Sequence, residues 1–331
     1  MKLIRYILFG LTVSLSLTSC FKEDEPVPPY HSPAGVVTVI AETKPDYSQQ
    51  TYYDLATNAF VASNNREEWD LAFSCDAGVS ALFLNESKKM RVYDTQTDNW
   101  GVTVSTTDAS LVWAYDESNG RPEETAFSHR VTDRIYVLDL GLSTVGDGLG
   151  YRKIKVLSAT EQTLTFEAGD MQGGNIRTYT LTKDADYNFV YFSFKNGGTT
   201  VKPEPKKNTY DLLFTQYTAR AYYDGSTTEF EWYSVNGVLL NPDGVAVAVD
   251  STDNFAGITY DELPGYTFSE ARDAIGYQWK TYNINAGVYS IMVKNTYLVR
   301  DRSGSFWKLR FTGFTNALGE RGYPNFEVGK F

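Results

Sequence analysis

Leu164, Phe166 and Ala168 alternate with Thr163, Thr165 and Glu167; Ile154 and Val156 alternate with Lys153 and Lys155; Trp307, Leu309 and Phe311 alternate with Lys308 and Arg310. A period of two places every apolar residue on one side of a pleated chain, so each stretch predicts a strand with one wet face. Asp301-Arg302-Ser303-Gly304 separates Tyr297-Leu298-Val299 from the last of these strands and predicts a β-hairpin. The one helical candidate is 269–275, where Ser269 would cap the first turn and Ala271, Ala274 and Ile275 would share a face. From Val36 onward the chain therefore reads as mainly β, with few short helices.

The strand words also recur. Tyr53-Asp54-Leu55-Ala56-Thr57-Asn58, Trp69-Asp70-Leu71-Ala72-Phe73-Ser74 and Leu82-Phe83-Leu84-Asn85 parallel Phe192-Ser193-Phe194-Lys195-Asn196-Gly197, Tyr210-Asp211-Leu212-Leu213-Phe214-Thr215 and Val238-Leu239-Leu240-Asn241. Two related antiparallel β units, about 36–150 and 151–331, would explain three blocks in one order, and units burying apolar faces on each other form one domain, 36–331. The alternative is chance likeness among strand-forming words. Asp70 and Asp211, set among apolar neighbours, are expected to accept backbone donors rather than to perform chemistry. With 24 Tyr, 19 Phe and 6 Trp against 4 Met, the core volume is aromatic and β-branched, which suits a pleated sheet.

The N-terminus has a different character. Lys2 and Arg5 precede an apolar stretch, 6–17, too short to span a bilayer, and Leu17-Thr18-Ser19-Cys20 closes it with small residues. The ending resembles a bacterial lipobox, so 1–19 reads as a lipoprotein signal peptide and Cys20 as the lipidation site; an ordinary signal with an incidental cysteine is the alternative. Several acyl chains, at ~0.8 kcal/mol per buried methylene, hold a protein on a membrane without a transmembrane helix. Residues 20–35 form an acidic, proline-rich tether. Its Lys22-Glu23-Asp24-Glu25 resembles the export signal of Bacteroidetes lipoproteins, which implies the outer membrane and its exterior face, although a charge run also serves as a plain solvated spacer.

The net charge is -11, and losing Lys2 and Arg5 with the signal makes it two more negative, which argues against nucleic acid as a partner. With Cys20 lipidated, Cys75 has no partner and no disulfide framework exists. His31 and His129 are the only histidines and His31 lies in the tether, so a zinc site of His and Cys cannot be assembled, and neither a G-x-S-x-G elbow nor a phosphate loop occurs. The glycine-rich 146–150 lies between strand-like runs and reads as a turn. Asp184-Ala185-Asp186 opens like a calcium loop but meets Phe189 where glycine is needed and Lys195 where glutamate is needed. Carboxylate pairs for glycoside hydrolysis meet in space and not in sequence, so that alternative stays open; the missing motifs otherwise point to a binding protein and not an enzyme.

One residue is out of place. Gly169-Asp170-Met171-Gln172-Gly173-Gly174 sets a methionine in a polar turn, whereas methionine ordinarily fills gaps in cores. A thioether at a hairpin tip suits a soft metal, and haem iron is the commonest acceptor of that kind. His129, ahead of the strand 135–140, is the candidate for a second axial ligand. The other reading leaves both as loop side chains without a role.

Trp69-Asp70-Leu71-Ala72-Phe73, Tyr136-Val137-Leu138-Asp139-Leu140-Gly141, Gly150-Tyr151-Arg152-Lys153, Tyr210-Asp211-Leu212-Leu213-Phe214-Thr215-Gln216-Tyr217-Thr218, Ile275-Gly276-Tyr277-Gln278-Trp279-Lys280 and Gly322-Tyr323-Pro324-Asn325-Phe326 together resemble the HmuY-like lipoproteins of Bacteroidetes. The resemblance runs from about Tyr52 to the C-terminus. It implies a nearly all-β, hand-shaped fold, haem held between hairpins by two histidines or methionines, a lipid anchor, and delivery of haem to a TonB-dependent outer-membrane receptor. Met171 matches the second ligand position; the first falls either on His129 or in 142–149, which has neither histidine nor methionine. Haem capture is thus the first expectation, and a surface glycan-binding or accessory lipoprotein without a haem site is the alternative.

Overall fold

The computed structural model describes residues 35–223, 226–252, 254–283 and 287–331. The signal peptide, Cys20, His31 and most of the tether lie outside the described residues. One five-stranded sheet has the order β1 (Val37–Ile40), β20 (Arg321–Lys330), β19 (Phe306–Thr315), β18 (Thr296–Arg300), β15 (Ala246–Asp250). The other runs β10 (Arg177–Thr182), β9 (Thr163–Gly169), β8 (Tyr151–Ala159), β7 (Ile135–Asp139), β6 (Arg91–Asp94). Two four-stranded sheets follow, β12 (Thr199–Val201), β11 (Phe189–Ser193), β4 (Leu71–Ser74), β5 (Leu82–Leu84), and β14 (Phe230–Leu240), β13 (Leu212–Tyr222), β2 (Gln49–Asp54), β3 (Ala59–Asn65). A ribbon of β16 (Lys280–Asn283) and β17 (Val288–Ile291) completes the set. Neighbouring strands pair antiparallel, and the helical pieces are short 3-10 turns, so the chain is mainly antiparallel β as its alternation predicts.

The period-two faces land where expected. Leu164 and Phe166 of β9 are buried while Thr163 and Thr165 stay half-exposed, and Trp307, Leu309 and Phe311 of β19 face a core with Phe214 and Phe326. The predicted hairpin joins β18 to β19, and the Asp301 carboxylate accepts from Ser303 N at 2.8 Å, Ser305 N at 2.9 Å and Trp307 Nε1 at 2.7 Å, which fixes the turn.

Two expectations need correction. Residues 269–275 are not helical: Ser269 bridges Val247, Arg272 O accepts from Leu240 N at 2.6 Å, and Gly276 bridges Val238. Backbone groups that a helix would use internally are spent on the edges of β15 and β14. Lys153, placed by its alternation on a wet face, is fully buried because 99–102 folds over it, and its ammonium donates to Trp100 O at 2.5 Å and Val102 O at 2.6 Å.

The recurring words carry matching hydrogen bonds. Asp70 N donates to Phe192 O and Asp211 N to Tyr53 O; Asn85 N donates to Asp70 O and Asn241 N to Asp211 O. The Asp70 carboxylate accepts from Phe194 N at 2.6 Å, and that of Asp211 from Leu55 N at 2.8 Å. Asn85 Nδ2 reaches back to Trp69 O, Asn241 Nδ2 to Tyr210 O, both at 2.7 Å. Each aspartate therefore satisfies a donor from the other series of blocks: β4 pairs with β11, and β13 pairs with β2. The strands interleave across residue 150.

Candidate functional site

Met171 sits in the turn between β9 and β10, half-exposed. Asp170 builds that turn: its carboxylate accepts from Gly174 N at 2.7 Å, Asn175 Nδ2 at 2.7 Å and Gln172 N at 3.1 Å. These donors, Gly174 N first, hold its pKa below the ordinary carboxylate value. Gly173 has φ +83°, and a Cβ there would lie 2.3 Å from Trp100 O. The turn is thus clamped between its own aspartate and the Trp100 segment that buried Lys153 holds.

A groove of about 240 Å³ opens beside the turn, lined by Arg152, Arg177, Tyr179 and Phe194 among others. Because Arg177 pairs with Ala168, and Ala168 in turn with Ile154, the register brings an arginine from β10 and one from β8 to the same face. Arg152 places its guanidinium 5.9 Å from the Phe194 ring centroid, and its Nε is buried without a hydrogen-bond partner among the described residues. Arg177 Nη1 donates to Gly197 O at 3.2 Å. Two cations at one groove suit a carboxylate ligand.

Loop 142–149 lies at the same end of the sheet, since Asp139 pairs with Tyr151 and Lys153 with Gly169. Its base is fixed by charged residues from earlier in the chain. Leu142 N donates to Lys88 O at 2.7 Å, Arg66 Nη2 to Ser143 O at 3.1 Å, and Thr144 N to Glu67 Oε1 at 2.5 Å. Gly141, at φ +76°, presses on Lys88 so closely that a Cβ would lie 2.0 Å from its carbonyl oxygen. Gly141→Ala is expected to cost about 1–3 kcal/mol of stability through the left-handed backbone and this approach; an unchanged unfolding midpoint in urea removes the argument.

His129 is exposed and elsewhere. Its neighbour Arg130 donates to Ser80 O at 2.6 Å, Ser80 Oγ reaches Thr160 O in the β8–β9 turn, and Asp133 N donates to Val156 O. That is the opposite end of the sheet from Met171, with the seven residues of β9 between, on the order of 20 Å at ~3.3 Å per residue. The two sequence candidates are not brought together, and one iron atom cannot be reached by both. The arginine groove escaped sequence reasoning because Arg152 and Arg177 are 25 positions apart in the chain and meet only through strand register. Among the described residues no cluster of three or more His, Cys, Asp or Glu side chains is placed to hold a metal ion. Asp184 and Asp186, the start of the failed calcium loop, instead pair with Lys202 at 4.0 Å and Lys206 at 2.6 Å. Cys75 is half-buried and unpaired, and burial raises its thiol pKa.

The family described as HmuY protein matches residues 46–328. No curated protein matches the chain. Among solved structures, apo PinO from Porphyromonas gingivitis is 10% identical, with 90% of this chain and 97% of that one covered and a TM-score of 0.31. The apo HmuY analog TFO of Tannerella forsythia is 9% identical, with 91% and 97% covered and a TM-score of 0.28.

Proposed function

Because the chain belongs to the HmuY protein family, we propose that it binds haem at the Met171 end of the β6–β10 sheet, as a cell-envelope lipoprotein that captures haem and passes it on without catalysis. The observation that carries this reading is the pairing of a half-exposed thioether, held in a clamped turn, with a groove containing two arginines, one of them with a buried nitrogen that has no partner among the described residues. Met171 would donate its sulfur to the iron. Arg152 and Arg177 would pair with the propionates, supplying positive charge that a chain of net charge -11 otherwise lacks for an anion. When bound, haem supplies a planar apolar surface and a metal with axial positions. Loop 142–149 offers the second of these positions no histidine or methionine, so Met171 is the single protein ligand in this reading.

Anchoring through Cys20 would place the β domain at the outer membrane, facing the exterior, where a TonB-dependent receptor is the acceptor. Its support is the lipobox-like ending and the acidic run Lys22-Glu23-Asp24-Glu25, both outside the described residues. The test is an absorption titration of the purified chain with oxidised and reduced haem. Wild type is expected to give a shifted Soret band, Met171→Ala to lose it with at least a ten-fold weaker affinity, and His129→Ala to behave as wild type. No spectral response from wild type rejects the proposal, and a loss confined to His129→Ala moves the site to the other end of the sheet.

A further inference from the structure

A cleft larger than the groove at the Met171 turn lies elsewhere in the fold. A cleft of about 1060 Å³ lies where the β13–β14 hairpin, the β16–β17 ribbon and the tip of the β19–β20 hairpin meet. Four tyrosines on its lining, Tyr222, Tyr233, Tyr282 and Tyr289, are each about half exposed. Few of the described aromatic residues are exposed, so four such rings left in water around one concavity are unusual, and they offer faces for a ligand. They are tilted to one another: Tyr282 and Tyr289 meet at 47° with centroids 4.8 Å apart, and Tyr289 meets Phe314 at 68°. Such rings make separate platforms and not the two parallel walls that would grip a flat macrocycle.

The polar lining carries a second signal. Trp279 is 1% exposed and stacked on Phe311, yet its Nε1 has no hydrogen-bond partner among the described residues, and neither has the buried Oδ1 of Asn236. A buried donor and a buried acceptor left open beside a cleft are satisfied by a polar ligand. Lys280 extends along the Trp279 face, its Nζ 3.8 Å from the ring centroid, and donates to Asn236 O at 2.5 Å. The lining holds two basic side chains, Lys280 and Arg321, and one carboxylate, Glu231, an excess of basic groups in an acidic protein.

We propose that this cleft binds an acidic carbohydrate, with pyranose rings stacked on the rim tyrosines and a ring carboxylate held by Lys280 and Arg321. Stacking uses the apolar faces of the sugar, hydroxyls meet the open groups of Trp279 and Asn236, and the carboxylate neutralises the ammonium. The site is separate from the proposed haem groove and uses none of its residues.

The test is calorimetric titration of the purified full chain with trigalacturonate, and with galactotriose as its uncharged counterpart. Trigalacturonate is expected to bind in the micromolar to millimolar range with a change in tryptophan fluorescence, and galactotriose at least ten-fold more weakly. Lys280→Met should remove that preference, Tyr289→Ala should weaken both sugars, and Met171→Ala should alter neither. Tyr289 is exposed, so its variant folds regardless of how Lys280→Met behaves. No saturable binding of trigalacturonate, or equal affinity in wild type and Tyr289→Ala, overturns the proposal. Displacement of the sugar by haem would also overturn it and assign the cleft to a macrocycle.

Discussion

Asp70→Ala is expected to destabilise the protein by about 3–5 kcal/mol, the cost of breaking one side of a buried ion pair. The Asp70 and Lys88 side chains are 6% and 1% exposed and form an ion pair with each other. Asp70 also accepts from Phe194 N, so its removal strands an ammonium and a backbone donor together. Burial already lowers the Lys88 pKa, with the Asp70 charge opposing it. Without that charge the lysine must lose its proton or reach water, and reaching water opens the 3-10 turn Glu86–Lys88 whose last carbonyl holds Leu142. Adding Lys88→Met to Asp70→Ala should recover part of the loss, because a methionine leaves no charge to strand. Urea unfolding of the three proteins decides it. A loss under about 1 kcal/mol in the single variant would mean that water reaches Lys88.

Glu86→Gln is expected to flatten the dependence of stability on pH. Glu86 is buried in the same turn, one of its carboxylate oxygens has no partner among the described residues, and burial raises its pKa from 4.5 to about 8. Arg272 works against that rise, while Asp116, Asp273 and Glu117 add to it. Across that interval the folded protein keeps a proton that the unfolded chain releases, so the stabilisation is fully present below pH 4.5 and lost as pH climbs through 8. The displacement corresponds to a few kcal/mol at about 1.4 kcal/mol per pH unit. Asp116, raised by burial to about 7, slopes the same way. Lys280, lowered by burial from 10.5 to about 7, has the opposite slope, but only above pH 7. Unfolding free energies at pH 5, 6 and 7 therefore isolate the acidic groups: wild type should weaken steadily, and Glu86→Gln should weaken less. Parallel profiles for the two would show that Glu86 is ionised in the fold.

The sequence disclosed what depends on local repetition and concealed what depends on register. Alternation located β9, β8 and β19, and a four-residue turn between apolar runs located the β18–β19 hairpin, because side-chain period and turn chemistry are properties of neighbouring residues. Residues 269–275 misled because a short stretch with a cap and three apolar positions has no way to announce that two sheet edges will claim its backbone. Lys153 misled for a related reason: its position in the alternation was right, but a segment 50 residues earlier covers the face it points from. Met171 stood out by being apolar in a polar turn, a local anomaly. The arginines beside it, the buried Asp70–Lys88 pair and the tyrosine cleft are assembled from distant strands and leave no local trace.

The exchange of strands between the two series of blocks bears on biosynthesis. The hairpin β2–β3 has an open edge on one side until Leu212–Phe214 arrive, and the Asp211 bond to Leu55 spans 156 positions. At translation speeds of roughly 5–20 residues per second, that edge stays unsatisfied for on the order of ten seconds. A nascent chain of this design gains little by folding as it emerges, and that strand edge stays open to wrong partners until the later blocks are made.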